Sequence, residues 1–105
     1  MIVRSAFLEV TVAEADRIAF DAQLAGPVVH AIRTYPGILD VQLRRLVQAD
    51  PGSPPIYAVF DLYFPDLAAM DAALATSTRQ LVRAQIAQVM TRFQGRVYHQ
   101  VFQQG

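Results

Sequence analysis

The 105-residue chain has no cysteine, no lysine and no tryptophan, and only 17% of its residues are charged. Without cysteine there can be no disulfide, thiolate nucleophile or zinc–thiolate site, and without lysine no Schiff base. Histidine is nearly absent too. His30 and His99 are far apart and show no HxxxH or HxH spacing, so no metal is expected. GxGxxG, a phosphate loop and GxSxG are missing, which leaves nucleotide cofactors and hydrolase triads without support. The expected cofactor content is none. Nine arginines balance nine acids, and a zero formal charge argues against a surface that tracks nucleic-acid phosphates. No apolar run approaches the roughly 20 residues that a bilayer requires. Arg4 and Glu9 bracket too few apolar residues for a signal-peptide core. The expected setting is the cytoplasm, with neither nucleic acid nor membrane as partner.

What the chain does have is apolar content, 53% of its residues. One domain over residues 1–105 buries roughly 60 to 65% of its unfolded surface, so this composition leaves apolar area for a second copy to cover. Ile2 to Val10 is rich in β-branched and aromatic types and reads as a strand. Thr11 and Glu14 fit a capping box. Ile18, Ala22, Ala25, Val29 and Ile32 then recur at the helical period. Pro27 cannot donate to the Gln23 carbonyl, so this helix should kink there, and Pro36-Gly37 ends it. Ile38 to Val47 reads as a strand, Gln48 to Pro55 as a loop, and Ile56 to Phe64 as the second arm of a hairpin. Pro65-Asp66 suits a helix start. Leu67, Met70 and Leu74 form one apolar stripe, and Val82, Ile86, Val89 and Phe93 another, with a break near Thr76 and a capping box at Ser77 and Gln80. Gly95 closes the helix, and Arg96 to Phe102 alternates as a last strand.

The order strand, helix, strand, strand, helix, strand is the split βαβ plan of the ferredoxin-like α+β fold. Right-handed crossovers place both helices on one face of its four-stranded antiparallel sheet. The other face is not polar. Tyr57, Val59 and Tyr63 share it in one strand, and Val3 and Phe7 in another, so the expectation is a homodimer joined through that face as a dimeric α+β barrel.

Phe20-Asp21, the run Arg33 to Ile38 (RTYPGI), and Leu62-Tyr63-Phe64 followed by Leu67, Met70 and Leu74 resemble the EthD-like family of the dimeric α+β barrel superfamily. The similarity runs over nearly the whole chain. It implies a homodimer with a pocket for a small, largely apolar organic molecule, in the company of cofactor-free monooxygenases, muconolactone-type isomerases and polyketide-tailoring proteins. This chain carries Gln23 where the family commonly has a histidine or aromatic, and Val28 where it has a histidine. His30 follows two positions later, about 200° around a helix.

Three residues are candidates for proton transfer. His30 falls on the polar side of its helix with Asp16, Gln23 and Thr34, as a solvated residue or as a donor at a pocket mouth opened by the Gly26-Pro27 break. His99 shares a strand face with Val97 and Val101, as a core or interface histidine or as a base. Asp61 sits between Val59 and Tyr63 and needs an answering group, either an ion pair with Arg44, Arg45 or an arginine of the other subunit, or a raised pKa as a pocket acid. Gln23, Tyr35, Tyr57 and Tyr63 are the candidate ligand-binding side chains. Arg79, Arg83 and Arg92 read as a solvated helix face, with an anionic ligand or partner chain as the alternative. Two functions follow: a cofactor-independent isomerase, cyclase or monooxygenase acting on a small apolar or aromatic molecule, or a non-catalytic accessory protein that binds one.

Overall fold

A computed structural model describes residues 1–105. Strand β1, Ile2–Val10, lies inside the sheet and pairs antiparallel on both sides, with β3 (Ala58–Phe64) and β4 (Gly95–Gln103). β2, Asp40–Arg45, adds to the far side of β3, giving the order β2-β3-β1-β4. Ile2, Ala6, Leu8 and Val10 of β1 and Ala58, Phe60, Leu62 and Phe64 of β3 face the helices and are buried, as period-two alternation requires. This is the expected ferredoxin-like arrangement.

The first crossover is one helical path with an internal fault. A 3-10 turn at Glu14–Asp16 leads into α1, Arg17–Gln23, followed by a π turn at Leu24–Val28 and α2, Val29–Ile32. The fault lies at Pro27, whose missing N–H forces the wider turn. The face this path buries is only partly the one expected, with Ile32 in the core and Val29 packed against it. Phe20, Leu24, Val28, Ala31 and Ile32 pack on the sheet, whereas Ile18 is 87% exposed and Ala22 and Ala25 face solvent. Both stripes have helical spacing, and the one with the greater side-chain volume takes the core. The expected Thr11–Glu14 capping box does not form, because the helical path begins two residues later, at Ala13. Gly37, with φ +77°, makes the turn that ends this crossover.

Pairing in β2 is shorter than Ile38 to Val47. Single hydrogen bonds from Leu39 N to Tyr63 O (2.8 Å) and from Leu46 N to Tyr57 O (3.0 Å) extend it beyond the strand. The second crossover comprises α3, Leu67–Leu74, and α4, Thr78–Met90. The Asp66 carboxylate caps α3 by accepting from the Ala69 N–H at 2.8 Å. Ser77 does not cap α4, since its backbone is already helical (φ −63°, ψ −19°) and an N-cap side chain works from the extended region.

Gly95 opens β4 rather than closing a helix, and it is required there by contact. A Cβ at this position would lie 2.3 Å from the Glu9 carbonyl oxygen and 2.9 Å from Val10 Cα, both backbone atoms that cannot swing aside. Gly95→Ala should push the start of β4 off β1 and cost about 1–3 kcal/mol in a urea unfolding curve. Wild-type stability in that variant would mean that the two strands are not packed this closely.

Candidate functional site

The helices leave a space over the β1–β4 side of the sheet. A cavity of about 460 Å³ lies there, between α4, the end of the first crossover and the helix-facing side of β1, β3 and β4. Its apolar lining includes Ala6, Leu62 and Val97 from the sheet and Val82, Ile86 and Met90 from α4. Ala6 pairs with Phe60 on one side and His99 on the other, so a small side chain sits in the floor directly beside an imidazole. The cavity's other polar residues are Arg4 of β1, Tyr35 after α2, Arg79 and Arg83 of α4, and Arg96 of β4, whose guanidinium is paired with Glu9.

Strand alternation brings His99 and Arg4 into this cavity, since both fall on the face that turns Ile2, Ala6 and Leu8 inward. Partial burial, and then the charges of Arg4, Arg79 and Arg83, push the His99 pKa down from 6.5 to about 4, although the residue stays exposed in the single chain. The imidazole is therefore neutral at pH 7 and has a ring nitrogen free to accept a proton or hydrogen bond. Tyr35 is buried, and loss of solvent raises its pKa while the three arginines oppose that rise. Its hydroxyl stays protonated and able to donate. Burial likewise lowers the pKa of Arg4, with Arg79 and Arg83 adding to the effect.

The other candidates lie elsewhere. Asp61 is on the opposite, helix-free face of the sheet, buried to 4% exposure, where it accepts from Ser5 Oγ and from Arg44 Nε, each at 2.6 Å. Of its two possible arginine partners Arg44 is the one, because Arg45 points to the helix side and pairs with Asp21 at 3.2 Å. Tyr63 is on the same open face as Asp61, with its hydroxyl 3.4 Å from Gln42 Oε1. Tyr57 precedes β3 and leaves the strand's alternation. Its ring meets Phe20 edge-on at 5.1 Å and its hydroxyl donates to Asp21 at 2.6 Å. His30 is exposed on α2 and lines no described cavity, and Gln23 borders only a small cleft between α1 and α4. The structure thus gathers His99 and Tyr35 at one site and leaves His30, Gln23, Tyr57, Asp61 and Tyr63 outside it. Arg79 and Arg83 border the cavity rather than a fully solvated face, while Arg92 pairs with Asp16 at 3.5 Å. The alternation of β1 is the sequence signal that turns Arg4 toward the cavity. Nowhere do three histidine or carboxylate side chains converge as metal ligands would, and no helix is long and apolar enough to cross a membrane.

A four-stranded antiparallel sheet covered by helices on one face, with an apolar cavity between the layers, defines a ferredoxin-like α+β protein. The chain is similar over its full length, and over all of the other chain, to an EthD family protein from Bacillus halodurans, with TM-score 0.77 and 18% identity. It is similar to a DABB family protein with a ferredoxin-like fold from Mesorhizobium loti (TM-score 0.65, 12% identity, 98% of this chain and 95% of that one). A third similar structure is SnoaB, a cofactor-independent oxygenase from Streptomyces nogalater (TM-score 0.59, 16% identity, 99% and 92% covered). No protein-family model and no curated protein matches the sequence. The expected fold and the likeness to EthD-type proteins hold at the level of architecture.

Proposed function

We propose that this protein binds a small, largely apolar organic molecule in the cavity beneath α4 and promotes proton transfer on it without a cofactor. The observation that carries this reading is the cavity itself. It has apolar walls, a neutral imidazole from the sheet and a protonated phenol from the helix layer. His99 would take a proton from a carbon next to a carbonyl, and the Tyr35 hydroxyl would donate a hydrogen bond to the oxygen that gains charge. The likeness to a cofactor-independent oxygenase fits this reading. The protein would act as a homodimer joined through the open sheet face. Binding without conversion is the second reading, favoured by the same depressed His99 pKa, because a base of about 4 has little driving force for a carbon acid.

2-Tetralone, an aromatic ketone with exchangeable protons beside its carbonyl, separates the two readings. Chemical-shift changes at His99 would report binding, and deuterium uptake into the ketone would report chemistry. The expected result is binding plus exchange, with the exchange falling about a hundredfold in His99→Gln. Exchange should be level through neutral pH and decline as pH falls through about 4, where His99 takes up its proton. Binding without exchange would establish the accessory reading, and neither would remove the proposed function. Stability should follow the same group. Between 6.5 and about 4 the unfolded chain holds more protons at His99 than the folded one, so acidification across that window weakens the fold, and His99→Gln removes that part of the loss.

A further inference from the structure

The arginines of this chain are unevenly satisfied. Arg33, Arg44, Arg45, Arg92 and Arg96 each meet a carboxylate, and Arg17 donates to the Val12 carbonyl at 3.3 Å. The other three, Arg4, Arg79 and Arg83, meet no carboxylate, and all three border the cavity under α4. No aspartate or glutamate lines that cavity. A chain with zero formal net charge therefore carries three unopposed positive charges at one half-apolar site. The arrangement works against folding. Arg79 and Arg83 are four residues apart on α4, a spacing at which like charges repel, and Arg4 faces them from the sheet with part of its hydration lost. An anion placed between them would relieve both costs, and guanidinium groups from two layers can grip a planar carboxylate through paired N–H donors.

We propose that the ligand of this cavity is an organic acid, an apolar body bearing a carboxylate, and that Arg4, Arg79 and Arg83 hold the carboxylate while Ile86, Met90 and Val97 hold the body. This rests on the proposed function, since it names the ligand class for the same site. It also requires the arginines to serve the ligand rather than the fold. Arg79→Gln and Arg83→Gln, singly and together, should then melt at the same temperature as the wild type or higher when no ligand is present.

The test uses 2-naphthoate and its neutral isostere 2-naphthamide in calorimetric titrations. The carboxylate should bind at least about tenfold more tightly at low salt, and the advantage should shrink as salt rises. In the Arg79→Gln/Arg83→Gln variant the two ligands should bind alike, while Arg92→Gln, outside the cavity, keeps the preference. Equal affinity of acid and amide for the wild type would overturn the carboxylate assignment and leave the proposed function standing. Failure of both to bind would count against each. Inorganic phosphate binding as tightly as naphthoate would overturn the organic-acid class, and marked destabilisation of the ligand-free arginine variants would overturn the ligand-serving role.

Discussion

Asp61→Ala is expected to lower the unfolding free energy by about 3 kcal/mol and to leave ligand binding under α4 unchanged. The carboxylate lies in the middle of β3 with almost no solvent contact and accepts two short hydrogen bonds, one from the buried Ser5 hydroxyl and one from Arg44. Alanine removes the acceptor for both. Ser5 cannot turn to water from its place in β1, opposite Asp61. Arg44 can do so only if it is free, and its side chain is 61% exposed in the single chain. The magnitude therefore also reports on the open sheet face. If a second copy covers Arg44, the stranded guanidinium brings the loss into the range of about 3–5 kcal/mol. If water reaches it, the loss should fall to about 1–2 kcal/mol. An Asp61→Ala, Arg44→Met double-mutant cycle in urea isolates the pair. Unchanged stability would show that the carboxylate is not held as described, and lost ligand binding would put Asp61 back among the functional groups.

Asp61 also shows how far this fold was legible. Its place between Val59 and Tyr63 on a mostly apolar strand face marked it as a group needing a partner, and the partner is one of the two arginines that chain order offered. Strand faces were readable because alternation depends only on neighbours along the chain. β1 has the bounds expected from its composition, Ile2–Val10. The first helix was harder to read. Its alanines fit either face of the wheel, and only a core shared with residues of distant strands selects Phe20, Leu24 and Val28 for burial. The site was harder still, because a cavity depends on the gap that α4 leaves over the β4 edge, and no local pattern encodes that distance. A sequence window shows Arg79 and Arg83 on the polar side of a helix. It does not show Arg4 arriving opposite them from a strand some 75 positions earlier in the chain. The histidines divided in the same way. His99 was placed by its strand period, whereas His30 could have entered a pocket only if the π turn at Pro27 had opened one beside it, and the turn instead keeps Leu24 and Val28 buried in line.

Phe102→Arg is expected to convert the proposed dimer into monomers. The helix-free face carries Val3 and Phe7 of β1, Val59 and Tyr63 of β3, and Tyr98 and Phe102 of β4 in adjacent registers. Phe7 and Tyr98 stack at 5.2 Å, and the Arg96 guanidinium lies over the Tyr98 ring at 4.9 Å. Phe102 is 47% exposed there. Four strands about 4.8 Å apart, of six to nine residues rising about 3.3 Å each, offer a face on the order of 490 Å², so two copies pressed together would bury ~1,000 Å². That is about the 1,000 Å² expected of a biological contact. An arginine at position 102 would put a charge into this apolar contact twice, once from each copy, with no acid on the face left unpaired to receive it, since Asp61, Glu9 and Asp40 are taken by Arg44, Arg96 and Arg33. Light scattering at micromolar concentration should then give half the wild-type mass, while Ile18→Arg, an equal change on the exposed helix side, should leave the dimer intact. Ligand binding under α4 should survive in the monomer, because the cavity is lined from one chain and opens on the other side of the sheet. A monomeric wild type would dispose of the dimer, and dissociation by Ile18→Arg but not by Phe102→Arg would move the interface to the helix layer.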